Sequence, residues 1–325
     1  MKPSWIKVIG SSLLAGVLTA PAWATANAVP GTVNYVEGQV AIGEQTLDAH
    51  SVGTGLEAGQ SITTETGKAE ILLTPGVFLR VDNQSSVRMV STSLTDIKVA
   101  VEKGRAMVEV GEIHPENNLR VTEDAVTTQL LKTGLYDFDA AQNRVRVFSG
   151  KAKVFDGDRD VTIDGGHQVD FNVQGKLRPE KFDKEPNQQS DLYRWSSLRS
   201  SYLAEANVDA ARVYVNSGYY GPGWVGAGWY WNPWFGTYTF IPADGFFYSP
   251  FGWGFYSPLV VFRSPVFFVG HPFVHTFSPA FHPVVVTRPV GTGRFSSGPT
   301  MVNRGAMVNR GAMGGFRGGH SGARR

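Results

Sequence analysis

The chain has 325 residues, 42% hydrophobic and 18% charged, an ordinary balance for a protein that buries a core. It contains no cysteine, which excludes disulfides, thiolate metal sites and a cysteine nucleophile. The net charge of +2 is unevenly divided: residues 31–186 hold 17 basic against 24 acidic side chains, whereas residues 213–325 hold 8 basic against Asp244 alone.

At the N-terminus, Lys2 and Lys7 precede an apolar run from Val8 to Ala20 and the small residues around Ala22-Trp23-Ala24. This is the pattern of a secretory signal peptide over residues 1–24, with cleavage after Ala24 and Ala26 as the second choice. The other long apolar stretch, Pro258 to Val269, carries Arg263 and Pro265 and is too short to cross a bilayer. The mature chain is therefore expected in the periplasm or outside the cell, without a transmembrane segment. Export and singly scattered basic residues argue against a nucleic-acid partner.

From Thr32 to Val173 short β-like runs alternate with Gly, Asp and Asn, as in Thr32-Val33-Asn34-Tyr35-Val36 and Val145-Arg146-Val147-Phe148. Such alternation predicts half-buried strands and a β domain over residues 31–175. A phrase Gly-x-Ala-x-(Ile/Val) recurs at Gly67, Gly104 and Gly150, with a weaker echo at Gly38. The glycine is expected where a turn needs positive φ, and the alanine where two layers approach closely. The uneven spacing predicts an irregular β-solenoid or roll of short strands, with a compact sandwich as the alternative.

Residues 176–190 read as a linker. After it Leu192, Trp195, Leu198 and Tyr202-Leu203 fall at helical spacing behind Ser190-Asp191, predicting one amphipathic helix over 191–206 that docks on the β domain. The last 113 residues hold 20 of the 38 glycines and 26 of the 39 aromatics. They divide into a Gly/Pro/aromatic-rich region at 214–258, expected to be sticky and partly ordered, and a basic low-complexity tail at 259–325 with Met301–Ala306 repeated as Met307–Ala312. A smaller duplication, Phe-Tyr-Ser-Pro, occurs at 247–250 and 255–258.

Six blocks of the β region resemble the FecR domain. They are Leu56 to Thr64, Gly67 to Leu73, Val99 to Val110, Leu119 to Thr122, Val145 to Val154 and Ile163 to Val169. That family comprises extracytoplasmic domains of regulators that relay an outer-membrane receptor signal to an anti-sigma system. Its signalling members carry a cytoplasmic segment and a membrane helix, where this sequence has a signal-peptide pattern. The resemblance implies a protein-binding β domain, in a secreted form with a Gly- and aromatic-rich C-terminal extension.

Candidate chemistry is sparse. Asp156-Gly157-Asp158-Arg159-Asp160 has alternate carboxylates, but Val161 and His167 stand where a calcium loop needs Gly and Glu, so an acidic hairpin turn is the reading. His271, His275 and His282 lie among prolines that forbid a helix, and no catalytic motif is present. No catalytic, cofactor-binding or metal-ligating residue is assigned and no cofactor is expected. The strongest contact candidates are Trp224, Trp229, Trp231, Trp234 and Trp253, whose faces suit other aromatic chains or sugar rings. The sequence thus reads as an exported, non-enzymatic binding or scaffold protein of the cell envelope, with an envelope protein as partner. A polysaccharide- or peptidoglycan-binding role for the tryptophans is the alternative.

Overall fold

A computed structural model of the chain describes residues 28–263, except 174 and 217–225. The signal-peptide pattern, Trp224 and the three spaced histidines lie outside the described residues.

The β domain contains β1 (Thr32–Ile42), β2 (Gln45–Leu47), β3 (Ser61–Leu72), β4 (Val77–Val81), β5 (Ser86–Ser93), β6 (Asp96–Lys103), β7 (Arg105–Val110), β8 (Arg120–Glu123), β9 (Val126–Leu130), β10 (Gly134–Asp139), β11 (Arg144–Ser149), β12 (Lys151–Asp156), β13 (Arg159–Asp164), β14 (His167–Asp170) and β15 (Glu180–Lys181). They form one continuous sheet. Strand β3 is its hinge: residues 61–63 pair with β5 and residues 69–72 with β4, while β1 follows it along the other edge. One arm continues from β5 through β6, β8, β9 and β12 to β13, the other from β4 through β7, β10, β11 and β14 to β15. The arms fold over one shared core, where Val87, Val99, Val121 and Val154 of the first meet Val108, Tyr136, Val145 and Val147 of the second.

The solenoid expectation is therefore corrected to a mixed sheet folded on itself. A solenoid stacks parallel coils from consecutive sequence, whereas among the described strands only β6 and β8 pair in parallel and neighbours such as β4 and β7 or β9 and β12 are distant in the chain. The recurring glycines mark the crease between the arms. Gly104 separates β6 of one arm from β7 of the other, Gly150 separates β11 from β12, and Gly67 lies opposite Gly38 at the bend of the β1–β3 pair. Only glycine fits there: a Cβ on Gly67 would stand 2.4 Å from the Glu37 carbonyl oxygen, and one on Gly104 (φ +73°) 2.3 Å from Ser85 Oγ. Ala69, Ala106 and Ala152, two residues past three of these glycines, are fully buried in the core, as the close approach of layers requires.

The stretch read as a linker contains β15 and a short helix α1 (Lys184–Gln188). Helix α2 (Asp191–Asn216) begins where Ser190 Oγ accepts the Tyr193 amide at 3.4 Å, and it runs past the expected end at Ala206 because Ala206, Ala210 and Ala211 continue its buried face. Residues beyond 226 form the hairpins β16 (Gly228–Asn232) with β17 (Thr237–Ile241) and β18 (Phe246–Tyr248) with β19 (Gly254–Tyr256), then α3 (Pro258–Arg263). The two Phe-Tyr-Ser-Pro copies are the two sides of the second hairpin. Phe247 and Phe255 pair and stack at 4.9 Å, and each serine ends its strand by accepting later amides, Ser249 from Trp253 and Ser257 from Val260. Pro258 takes the first position of α3, where a missing N–H costs nothing. No described helix is long and apolar enough to cross a membrane.

Candidate functional site

The arm from β4 to β11 has a second face, turned away from the shared core. Strand alternation places Glu70, Arg80, Glu109, Asp137 and Arg146 on it, a composition that in sequence reads as solvent-facing. Yet Glu70 and Arg80 are completely buried, because α2 and the two hairpins lie over them. Two apolar clusters seal this layer. Leu72 and Phe78 meet Leu203, Tyr238, Phe240 and Phe255, while Met107, Leu135 and Phe148 meet Leu192 and Trp195. Each large side chain buried there contributes about 1.5–3 kcal/mol.

Between the apolar clusters runs a buried polar network. Arg80 donates through Nε to Glu70 at 2.9 Å and through Nη1 to Glu109 at 2.5 Å. From α2, Arg199 Nη2 reaches Glu70 at 3.0 Å and its guanidinium stacks on Tyr35 at 4.0 Å, while Ser200 Oγ donates to Glu109 at 2.8 Å. The two carboxyls differ by their partners. Burial raises both, but Arg199 and Arg80 together bring Glu70 below 4.5, whereas Glu109, facing Arg80 alone among the arginines, stays above it. A helix face predicted to be an apolar stripe therefore buries Arg199, Ser196 and Ser200, and its Leu198 and Tyr202 face solvent.

Three asparagines tie the hairpins down, two of them by imitating a strand edge. Asn34 accepts the Tyr238 amide at 2.8 Å and donates to the Tyr238 carbonyl at 3.0 Å. Asn207 accepts the Tyr256 amide at 2.8 Å and donates to the Phe240 carbonyl at 2.8 Å. Asn232 donates to the Ala206 carbonyl at 3.0 Å and accepts the Trp234 amide at 3.0 Å. Asn34 and Asn207 satisfy backbone groups that a two-stranded hairpin leaves open, while Asn232 caps the turn of its own hairpin and joins it to α2.

The four described candidate tryptophans do not form one platform. Trp229 packs edge-on against Phe78 at 4.9 Å, Trp231 against Tyr238 at 5.1 Å, and Trp253 donates through Nε1 to the Ser197 carbonyl at 3.1 Å. Trp234 at the β16–β17 turn is 86% exposed, next to Phe235, whose ring meets Tyr202 of α2 at 5.0 Å. Phe246, Tyr248, Phe262 and Leu198 are further exposed apolar side chains of the same layer. The acidic segment 156–160 is a hairpin turn: Asp156 pairs with Arg159, and Asp160 with Lys153 at 3.0 Å. Among the described residues no group of His, Asp or Glu is arranged to hold a metal ion.

Sequence reasoning missed Glu70, Arg80, Glu109, Arg199 and the three asparagines, since charge and amide read as surface. The available signal was the spacing Trp195, Arg199, Leu203, which puts an arginine in line with the buried residues of α2.

The family model described as "FecR protein" matches residues 60–153. Two solved structures, each of a candidate anti-sigma factor from Parabacteroides distasonis, align with 18% and 17% identity and a TM-score of 0.33, each over 38% of this chain. The chain spans 60% of the length of either structure. No curated protein matches. The strands from the hinge at β3 to the first residues of β12 are a domain of the FecR family.

Proposed function

We propose that this protein is an exported, non-enzymatic binding or scaffold module of the cell envelope, its FecR domain covered by its own helix and aromatic hairpins and its partner a protein. In this reading residues 1–24 direct export and are removed, and residues 31–175 are the FecR-like body. The observation that carries the proposal is where the exposed aromatic side chains lie. Among the described residues Tyr202, Trp234, Phe246, Tyr248 and Phe262 all belong to the covering layer, on a frame held from below by buried contacts, whereas the exposed apolar side chains of the β domain are aliphatic, such as Leu94 and Leu131. Aromatic rings fixed in place lose little entropy on binding, which suits a recognition surface. Trp229, Trp231 and Trp253 are engaged in packing, so among the described candidate tryptophans a sugar platform would rest on Trp234.

The test is co-purification from intact envelopes, comparing the mature chain with Trp234→Ala and with Phe246→Ser/Tyr248→Ser. The expected result is a discrete protein partner retained by the parent chain and lost by one of these variants at unchanged melting temperature. Retention by all variants would refute this surface. Release of the partner by soluble envelope polysaccharide would turn the reading to a carbohydrate ligand.

A further inference from the structure

Glu123 is the last residue of β8, paired with Val126 across the tight β8–β9 turn in which Asp124 takes φ +50°. It is 3% exposed, and both of its carboxyl oxygens are buried without a hydrogen-bond partner. The other buried carboxylates are compensated: Glu70 has two arginines, Glu109 has Arg80 and Ser200, and Asp137 has Arg105 and Arg146. The charged groups acting on Glu123 are Asp137 and Asp139 of β10, Asp124 of its own turn and Arg146 of β11. Arg146 is committed elsewhere, to Asp137 at 2.9 Å, Asp139 at 3.5 Å, Gln142 at 3.1 Å and Gln168 at 3.3 Å. Glu123 therefore sits in a dry, acid-rich position with no cation free to serve it.

We propose that Glu123 makes the tip of the β8–β9 hairpin a proton-held clasp: protonated, the side chain stays buried and the tip closed, and on losing its proton it draws the tip out into water. An ionised carboxylate cannot remain buried without a partner, and the cheapest relief is local opening at the turn. Burial first, then the charges of Asp137, Asp139 and Asp124, against a weaker opposing pull from Arg146, raise this carboxyl well above 4.5. Because the folded state holds the proton more tightly than the unfolded chain, the stabilisation is complete below 4.5 and is lost as pH rises through the raised value. That direction is opposite to Glu70, whose carboxyl is lowered.

Hydrogen exchange of the amides in residues 121–128, followed from about pH 5 to about pH 9 and corrected for intrinsic rates, tests the clasp. Between 4.5 and the raised value, opening of the tip should rise by about tenfold per pH unit in the parent chain, since one proton is released, and it should level off above the Glu123 titration. It should be independent of pH in Glu123→Gln and in Glu123→Met, the second variant guarding against an effect of the buried amide itself. Equal pH dependence in parent and variants would overturn the proposal. So would a Glu123 carboxyl carbon resonance titrating with the exposed glutamates, or opening that spreads equally to β4.

Discussion

Replacing Arg199 by Met probes the contact between the FecR strands and the layer above them. The substitution keeps the length of the stem but removes the donor to Glu70 at 3.0 Å and the cation stacked on Tyr35 at 4.0 Å. Glu70 is left buried with Arg80 and Asn34 only. Breaking one side of a buried pair costs about 3–5 kcal/mol, because the remaining charge has no water to turn to. Arg80 and Asn34 still serve Glu70, so the lower end, about 3 kcal/mol, is expected. For a folded body of this size that corresponds to a melting temperature lower by about 6–12 °C. Thermal unfolding by circular dichroism reads it, in a cycle with Glu70→Gln. Neutralising the glutamate in the Arg199→Met background should recover about 1–2 kcal/mol relative to the sum of the single changes. The pH profile gives a second readout. The carboxyl of Glu70 lies below 4.5, so its contribution is present above that value and is lost as pH falls through the lowered one; without Arg199 the loss should begin at higher pH. A melting temperature within about 1 °C of the parent, or no coupling in the cycle, would refute the argument that α2 is anchored through this network.

Gly104→Ala and Gly157→Ala separate crowding from backbone strain, since both glycines have positive φ but only the first has neighbours where a Cβ would go. Urea unfolding should show about 1 kcal/mol lost at Gly157 and clearly more, about 3 kcal/mol, at the Gly104 crease. Asn207→Ala removes bonds to Tyr256 and Phe240 and should cost about 2–3 kcal/mol, with faster hydrogen exchange at the Tyr256 amide. Trp229→Ala should cost about 2 kcal/mol or more through lost packing on Phe78 and Phe240, whereas Trp234→Ala should stay within about 0.5 kcal/mol; chemical denaturation of the two variants side by side checks this.

Much of the FecR body is legible in the sequence, because its strands obey simple rules. Ala69 and Ile71 point to the shared core while Lys68 and Glu70 alternate with them, and the repeated glycine announces a feature of one kind at each site. The expected positive φ is present at Gly104 and Gly150, but the glycines are not turns of a solenoid. Spacing along the chain does not reveal that each glycine lies where the chain passes from one arm to the other, since that depends on pairings between distant strands such as β4 and β7. The covering layer was less legible. Periodicity assigns polar side chains to water and carries no sign that Glu70, Arg80 and Arg199 satisfy one another in the dry. For the same reason it assigns Leu198 and Tyr202 of α2 to the docked stripe, where the structure exposes both. The tryptophans were identified as a contact set by composition alone, and only their packing separates Trp229, Trp231 and Trp253 from the exposed Trp234.

Joined by the buried network, the FecR strands and the layer over them should unfold as one body. Native-state hydrogen exchange of the mature chain with increasing urea tests this directly, by comparing Phe240 of β17 and Leu203 of α2 with Val108 of β7. All three amides are expected to converge on one opening free energy, that of global unfolding. If Leu203 and Phe240 exchange through a separate opening while Val108 remains protected, the helix and hairpins are an appendage and the buried network does not hold them.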